Sequence, residues 1–244
     1  MNTNSNVYTV IYTAIVVVVV AAVLAFVSQK LGPMQAANEK AETVSQILTA
    51  AQFGDKESWA EKGNAATLDF YRENASEAYT VNAVGEKTGT LDIQNVDIYS
   101  VARLKAQNYN IKDGSDFDLP VYVFKNGTKV VPVYGAGLWG PVWGYIAVAT
   151  DNRTILGAYF DHESETPGLG GKIKDDPSFR AQFAGKVLDF TSDKPFSIIK
   201  GGAKGQENAV DAITGATMTS KGLDAAITGW IKAYKATMEE PSNE

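Results

Sequence analysis

The chain has 244 residues, a net charge of −6 and one long apolar run at its start, which leaves room for an anchor and a soluble part of about one to two ordinary domains. The charge is spread along the chain, so no basic stripe exists to neutralise a row of nucleic-acid phosphates, and no nucleic-acid partner is expected. There is no cysteine and a single histidine, His162; this excludes disulfides, thiolate metal sites, Cys-ligated clusters and a Cys nucleophile, and removes most His-based metal or triad chemistry. Any redox or group-transfer role must then use a bound organic cofactor.

Residues 1–6 read as a tail and 7–29 as a transmembrane helix. No charged side chain occurs from Met1 to Gln29, and about 20 apolar residues at about 1.5 Å each match a hydrocarbon core of about 30 Å. A cleaved signal has a shorter apolar region behind a basic start, which is missing here. A buried helix of a soluble fold is the alternative, disfavoured by the β-branched block Val16 to Val20 in uncharged surroundings. Lys30 follows the span and nothing basic precedes it except the amino terminus, so the flanking charges hardly set an orientation.

Residues 30–65 read as a helical stalk, with Val44, Ile47, Leu48 and Ala51 at helical spacing. The soluble domain is placed at 66–244. Residues 67–110 are mixed and polar, and only a short helix over 68–75 is expected there. Further on, Asn126-Gly127 separates two β-rich runs, 121–124 and 129–133, as a tight hairpin turn would. A second pair, 145–149 and 154–160, brackets Asp151-Asn152, so 121–161 reads as an antiparallel meander. Leu223, Ile227, Trp230, Ile231 and Tyr234 share one helical face, with Thr219 or Ser220 as the expected cap. Strands in sequence with helices around them give an α+β fold class: an antiparallel sheet with flanking helices behind one transmembrane helix.

Three loops are richer in glycine and hydroxyls than connections require. Residues 135–144 hold Gly137, Leu138 and Trp139; they suit a flat ligand, and equally a tight hairpin link with core tryptophans. The run His162-Glu163-Ser164-Glu165-Thr166-Pro167-Gly168-Leu169-Gly170-Gly171 enforces a turn and offers polar groups to a heterocycle's edge, or is a surface loop in which His162 is an ordinary surface histidine. The third, Asp211-Ala212-Ile213-Thr214-Gly215-Ala216-Thr217-Met218-Thr219-Ser220, precedes the last amphipathic helix, where backbone N–H groups favour a phosphate. A hydroxyl-rich turn that merely caps the helix fits the same residues.

The three loops in this order resemble the FMN-binding domain family of respiratory sodium pumps. In that family Asp-x-x-Ser/Thr-Gly-Ala-Thr marks a flavinylation site, matched by Asp211, Thr214, Gly215, Ala216 and Thr217, and the second signature is matched by Glu165-Thr166-Pro167-Gly168-Leu169-Gly170. The resemblance implies FMN attached covalently to Thr217 through a phosphoester. It further implies ring contacts from Glu165, Thr166, Leu169 and Gly170, a second side closed by Gly137, Leu138 and Trp139, and Thr214 and Lys221 near the phosphate. Two subfamilies share these features, the C-type subunits of the sodium-translocating NADH:quinone oxidoreductase and the G-type subunits of the ferredoxin:NAD oxidoreductase complex. Gly137-Leu138-Trp139 and the run from Pro177 to Lys186 look like the C type, although Phe179 and Phe183 stand where that subfamily often has tryptophan.

What the resemblance implies is a single-pass protein of a bacterial inner membrane with a periplasmic domain. It would be a redox subunit of a translocase without a complete active site of its own, carrying electrons from iron–sulfur centres to the flavin of the B-type subunit. Its partners would be the B, D, E and F type subunits, the lipid bilayer and a magnesium-dependent flavin transferase. Two other classes remain open from the residues: a membrane-tethered assembly module without redox function, and a flavin-dependent reductase of small molecules. The order of elements, strands first and helices around them, is not that of a Rossmann unit and argues against direct NADH binding.

Overall fold

The structure, a computed structural model, describes residues 6–239. The expected tail therefore lies outside the described residues except for Asn6, which opens α1 (Asn6–Ala50). Residues 6–40 of that helix form one unit. Its Val, Ile, Leu and Phe side chains are exposed, Val17 at 65% and Leu24 at 63% among them, and no residue of its most apolar stretch is buried. A helix apolar all round and unpacked is unsuited to water and long enough to cross a bilayer.

The second unit starts at Ala41, within the segment expected as a stalk. Val44, Ile47 and Leu48 are fully buried, so the last turns of α1 belong to the core of the soluble unit. The helix ends on Gln52, whose φ of 64° puts it in the left-handed region, with Phe53 N–H bonded to Leu48 O at 3.0 Å. Glycine is the usual residue in this terminating position. Asp55 then caps α2 (Lys56–Asn74) by accepting Ser58 N–H at 2.8 Å. The helix expected over 68–75 is only the end of α2; Gly63, at φ 82°, kinks it and hides its first half from the helical pattern.

Beyond α2 come β1 (Ala75–Val81), β2 (Lys87–Thr90), α3 (Val101–Asp113), β3 (Leu119–Phe124), β4 (Lys129–Ala136), β5 (Pro141–Val148) and β6 (Ile155–His162). The six strands form one antiparallel sheet in the order β2-β1-β3-β4-β5-β6. Both expected hairpins are present, turning at Gly127 (φ 83°) and Asn152 (φ 58°). Two short helices, α4 (Lys172–Asp175) and α5 (Pro177–Ala181), precede β7 (Ser197–Ile199) and β8 (Ala209–Asp211), a parallel pair that the sequence pattern does not announce.

The chain closes with α6 (Thr217–Ala233) and α7 (Lys235–Glu239). The face of α6 that carries Leu223, Ile227, Trp230 and Ile231 is fully buried. Each such side chain contributes about 1.5–3 kcal/mol of burial. At its N-terminal half α6 meets β4 backbone to backbone: a Cβ on Gly222 would collide with Ala136 O, and one on Gly135 would lie 2.6 Å from Ala226 Cβ. That contact sets the start of α6 beside the β4–β5 turn.

Candidate functional site

Three segments converge on one carboxylate. Glu165, in the loop after β6, is 4% exposed. Its Oε1 accepts the backbone N–H groups of Leu138 at 2.6 Å and Trp139 at 2.9 Å, both in the β4–β5 turn. Its Oε2 accepts the Thr219 hydroxyl of α6 at 2.5 Å. Burying a carboxylate is costly unless donors replace its water, and three donors do so here. Gly137 and Gly170 make the space, since a Cβ on either would strike the Glu165 carboxylate, and one on Gly170 would also stand 2.5 Å from Thr219 Oγ1. Ser164 Oγ donates to Trp139 O at 2.8 Å, a second stitch between the same two loops.

The loop itself turns at Gly168, with φ 74°, and the Thr166 carbonyl accepts the N–H groups of Leu169 at 3.1 Å and Gly171 at 2.9 Å. Leu169 leans over the third run, its Cδ2 being 3.1 Å from where a Cβ on Gly215 would stand. There Ala216 N–H bonds to Ile213 O at 3.1 Å, with Gly215 at φ 83°. Thr166 and Leu169 are both exposed, and Gly170 is buried.

Helix α6 starts at Thr217 with Ala216 as its N-cap and no side-chain cap. The expectation that Thr219 or Ser220 caps this helix is corrected: the N-cap is Ala216, three residues before Thr219, so Thr219 and Ser220 are the third and fourth residues of the helix. Thr219 is committed to Glu165, and Ser220 Oγ accepts Ile213 N–H at 3.2 Å. Thr214 and Thr217 are exposed, as is Lys221 one turn beyond Thr217 on the same side of the helix. The first-turn N–H groups give this end of the 17-residue helix a partial positive charge.

Asp211 is bonded to the segments before β8. Its Oδ1 accepts Ala203 N–H at 3.0 Å and its own N–H donates to Gln182 Oε1 at 2.9 Å, so it braces the turn from the end of β8. Reading the sequence missed three features: Thr219 as a ligand of the Glu165 carboxylate, Met218 on the surface, and His162 as more than a surface histidine. His162 Nδ1 accepts Glu165 N–H at 3.1 Å. Its position three residues before Glu165 was the available signal.

Outside α1, the described residues include six large apolar side chains that are exposed: Val84, Tyr109, Leu138, Trp139, Leu169 and Met218. The last four stand on the three converging segments. An exposed apolar cluster beside the positive end of a helix, with a lysine on the next turn, fits a flat heterocycle that bears a phosphate. A separate cavity of about 430 Å³, lined by Thr49, Gln52, Gly157 and Arg180 among others, shares no residue with this cradle.

The fold and the cradle define a flavin-binding domain: residues 137–232, which contain all three segments, match the FMN-binding domain family. The C subunit of a Na(+)-translocating NADH-quinone reductase from Vibrio vulnificus (strain YJ016) is 43% identical over 117 residues, 46% of this chain and 46% of that protein. Its counterpart from Vibrio alginolyticus is 33% identical over 172 residues, 70% of this chain and 60% of its own length. The aligned stretches thus span about half of these relatives. The crystal structure of the C subunit from Parabacteroides distasonis ATCC 8503 superposes with a TM-score of 0.71 at 31% identity, covering 86% of this chain and 98% of that one. For the Shewanella oneidensis NqrC structure the TM-score is 0.68 at 25% identity, covering 85% and 100%. The chain belongs to the NqrC family, the C subunits of the Na(+)-translocating NADH-quinone reductases.

Proposed function

We propose that this protein is the covalently flavinylated electron carrier of a sodium-pumping NADH:quinone oxidoreductase, with FMN held as a phosphoester on Thr217. The observation that carries this reading is the different fate of four neighbouring hydroxyls. Thr219 and Ser220 are buried and bonded within the chain, whereas Thr214 and Thr217 are exposed, and of these Thr217 opens α6, where N–H groups and Lys221 favour a phosphate. When bound, FMN supplies reversible one-electron chemistry.

The residues of the chain divide the remaining work. Leu138, Trp139, Leu169 and Gly170 line the isoalloxazine, and Thr166 presents a polar edge to it. Glu165 acts behind them by fixing the Leu138 and Trp139 amides, while Gly137, Gly215 and Ala216 give the backbone its close approach. Thr214 and Lys221 attend the phosphate, and Asp211 braces the flavinylation motif. Met218 adds apolar cover.

In this reading the protein is a single-pass component of a bacterial inner membrane with its soluble domain in the periplasm. A flavin transferase loads it, and it exchanges electrons with iron–sulfur centres and the flavin of the B-type subunit, beside the D, E and F type subunits. No complete active site is required of this chain alone. A non-redox assembly module would instead purify colourless.

The test is Thr217→Ala in cells that contain the transferase. The expected outcome is a folded, inserted protein without a fluorescent flavin band on a denaturing gel and without the FMN increment in its intact mass. A flavin band that persists in the variant would place the attachment elsewhere.

A further inference from the structure

Hydrogen bonds linked through the covalent frames of His162 and Glu165 join the core to the cradle. Gln46, in the buried end of α1, donates from Nε2 to Asp161 Oδ2 at 2.9 Å. Asp161 is 3% exposed; its Oδ1 takes Lys174 Nζ at 2.8 Å and the backbone N–H of His162 at 2.8 Å. The imidazole then accepts Glu165 N–H through Nδ1 at 3.1 Å, which puts the proton of the neutral ring on Nε2. Glu165 in turn accepts Leu138 N–H, Trp139 N–H and the Thr219 hydroxyl.

Glu165 belongs to no helix or strand, so no ladder fixes its backbone. The side chain of His162 supplies the acceptor that a ladder would have supplied. We propose that His162 is a positioning residue of the cradle: its Nδ1 holds the backbone at Glu165, and through that carboxylate it sets the Leu138 and Trp139 amides and the Thr219 hydroxyl. Its purpose rests on the FMN reading, but the positioning is a property of the protein chain and is measurable without flavin. Asp161, held by Gln46 and Lys174, fixes the backbone of His162 from behind. The histidine is therefore anchored on the core side and presents its acceptor on the cradle side.

The experiment compares wild type, His162→Ala and His162→Asn as full-length, detergent-solubilised protein made without the transferase, by hydrogen exchange at individual amides. Losing one hydrogen bond in this series should speed exchange at Leu138 and Trp139 about tenfold in His162→Ala. Asparagine places a carbonyl acceptor close to the position of Nδ1, so His162→Asn should return both rates toward wild type. In flavin-loaded protein the midpoint potential should move in the alanine variant and return in the asparagine variant, which a merely structural role would not produce.

Wild-type rates at both amides in a folded His162→Ala protein would overturn the proposal, as would a folded His162→Asn protein that restores neither. Should His162→Ala fail to fold, His162→Phe carries the test, because it keeps the bulk of the ring without its acceptor and should speed the same two amides; unchanged rates there overturn the proposal equally. The two readings fail separately. Colourless wild-type protein made with the transferase and showing the expected exchange pattern refutes FMN and leaves the positioning; normal flavin with unchanged exchange refutes only the positioning.

Discussion

Glycine does different things in this chain according to what surrounds it. At Gly170 the α-carbon faces the Glu165 carboxylate and the Thr219 hydroxyl, so an added methyl must displace a buried charge from its donors. Gly170→Ala should cost about 1–3 kcal/mol in urea unfolding, as overpacking does. Gly229, inside α6 with nothing within 4 Å of its Cβ position, is the control. Gly229→Ala should stabilise by about 0.5–1 kcal/mol, because alanine is the better helix former. Both glycines are plain in the sequence; the difference between them is not, since Glu165 and Thr219 are 54 residues apart in sequence and meet only after α6 has docked.

At the scale of elements, legibility followed burial. The meander of β3 to β6 and the α6 face were readable because their apolar residues repeat with the period of the structure they form. Residues 67–110 resisted even though β1 within them is mostly buried; the exposed β2 and α3, which buries only Leu104, resisted for matching reasons. Neither carries a pattern. The turns between elements are held by carboxylates, and this has a consequence in acid. Burial raises the Asp151 carboxyl, but the Thr154 hydroxyl and the N–H groups of Arg153 and Thr154 outweigh it and hold the group below its ordinary value. Asn95 N–H holds Asp92 low, and the Ser178 and Thr191 hydroxyls do the same for Asp176 and Asp189. A carboxyl depressed by folding stabilises above its unfolded pKa of about 3.9 and loses that contribution as pH falls through the folded value. Thermal midpoints should therefore be insensitive to these groups from pH 7 to 5 and drop below about pH 4. The gap between wild type and Asp151→Asn should close in the same acid range.

For the whole molecule, the boundary of the soluble part matters most. Sequence composition placed its start at 66, whereas Val44, Ile47 and Leu48 from α1 and Trp59 from α2 are core residues. A fragment beginning at 41 should melt cooperatively. One beginning at 66 should not, having lost four large buried apolar side chains worth about 1.5–3 kcal/mol each against a total stability of about 5–15 kcal/mol. Circular dichroism melts of the two fragments decide it. Residues 34–52 are rich in the polar helix formers of an exposed stalk, and β6, whose Asp161 bonds Gln46 and whose Gly157 lies against Ala50, comes more than a hundred residues later.

The Glu165 carboxylate also orders events in time. Its donors come from the β4–β5 turn and from α6, so the cradle does not exist while the last long helix is still being synthesised. An enzyme that recognises the assembled cradle, as opposed to the sequence around Thr217, would act only on finished chains, and cofactor loading would then serve as a checkpoint on folding.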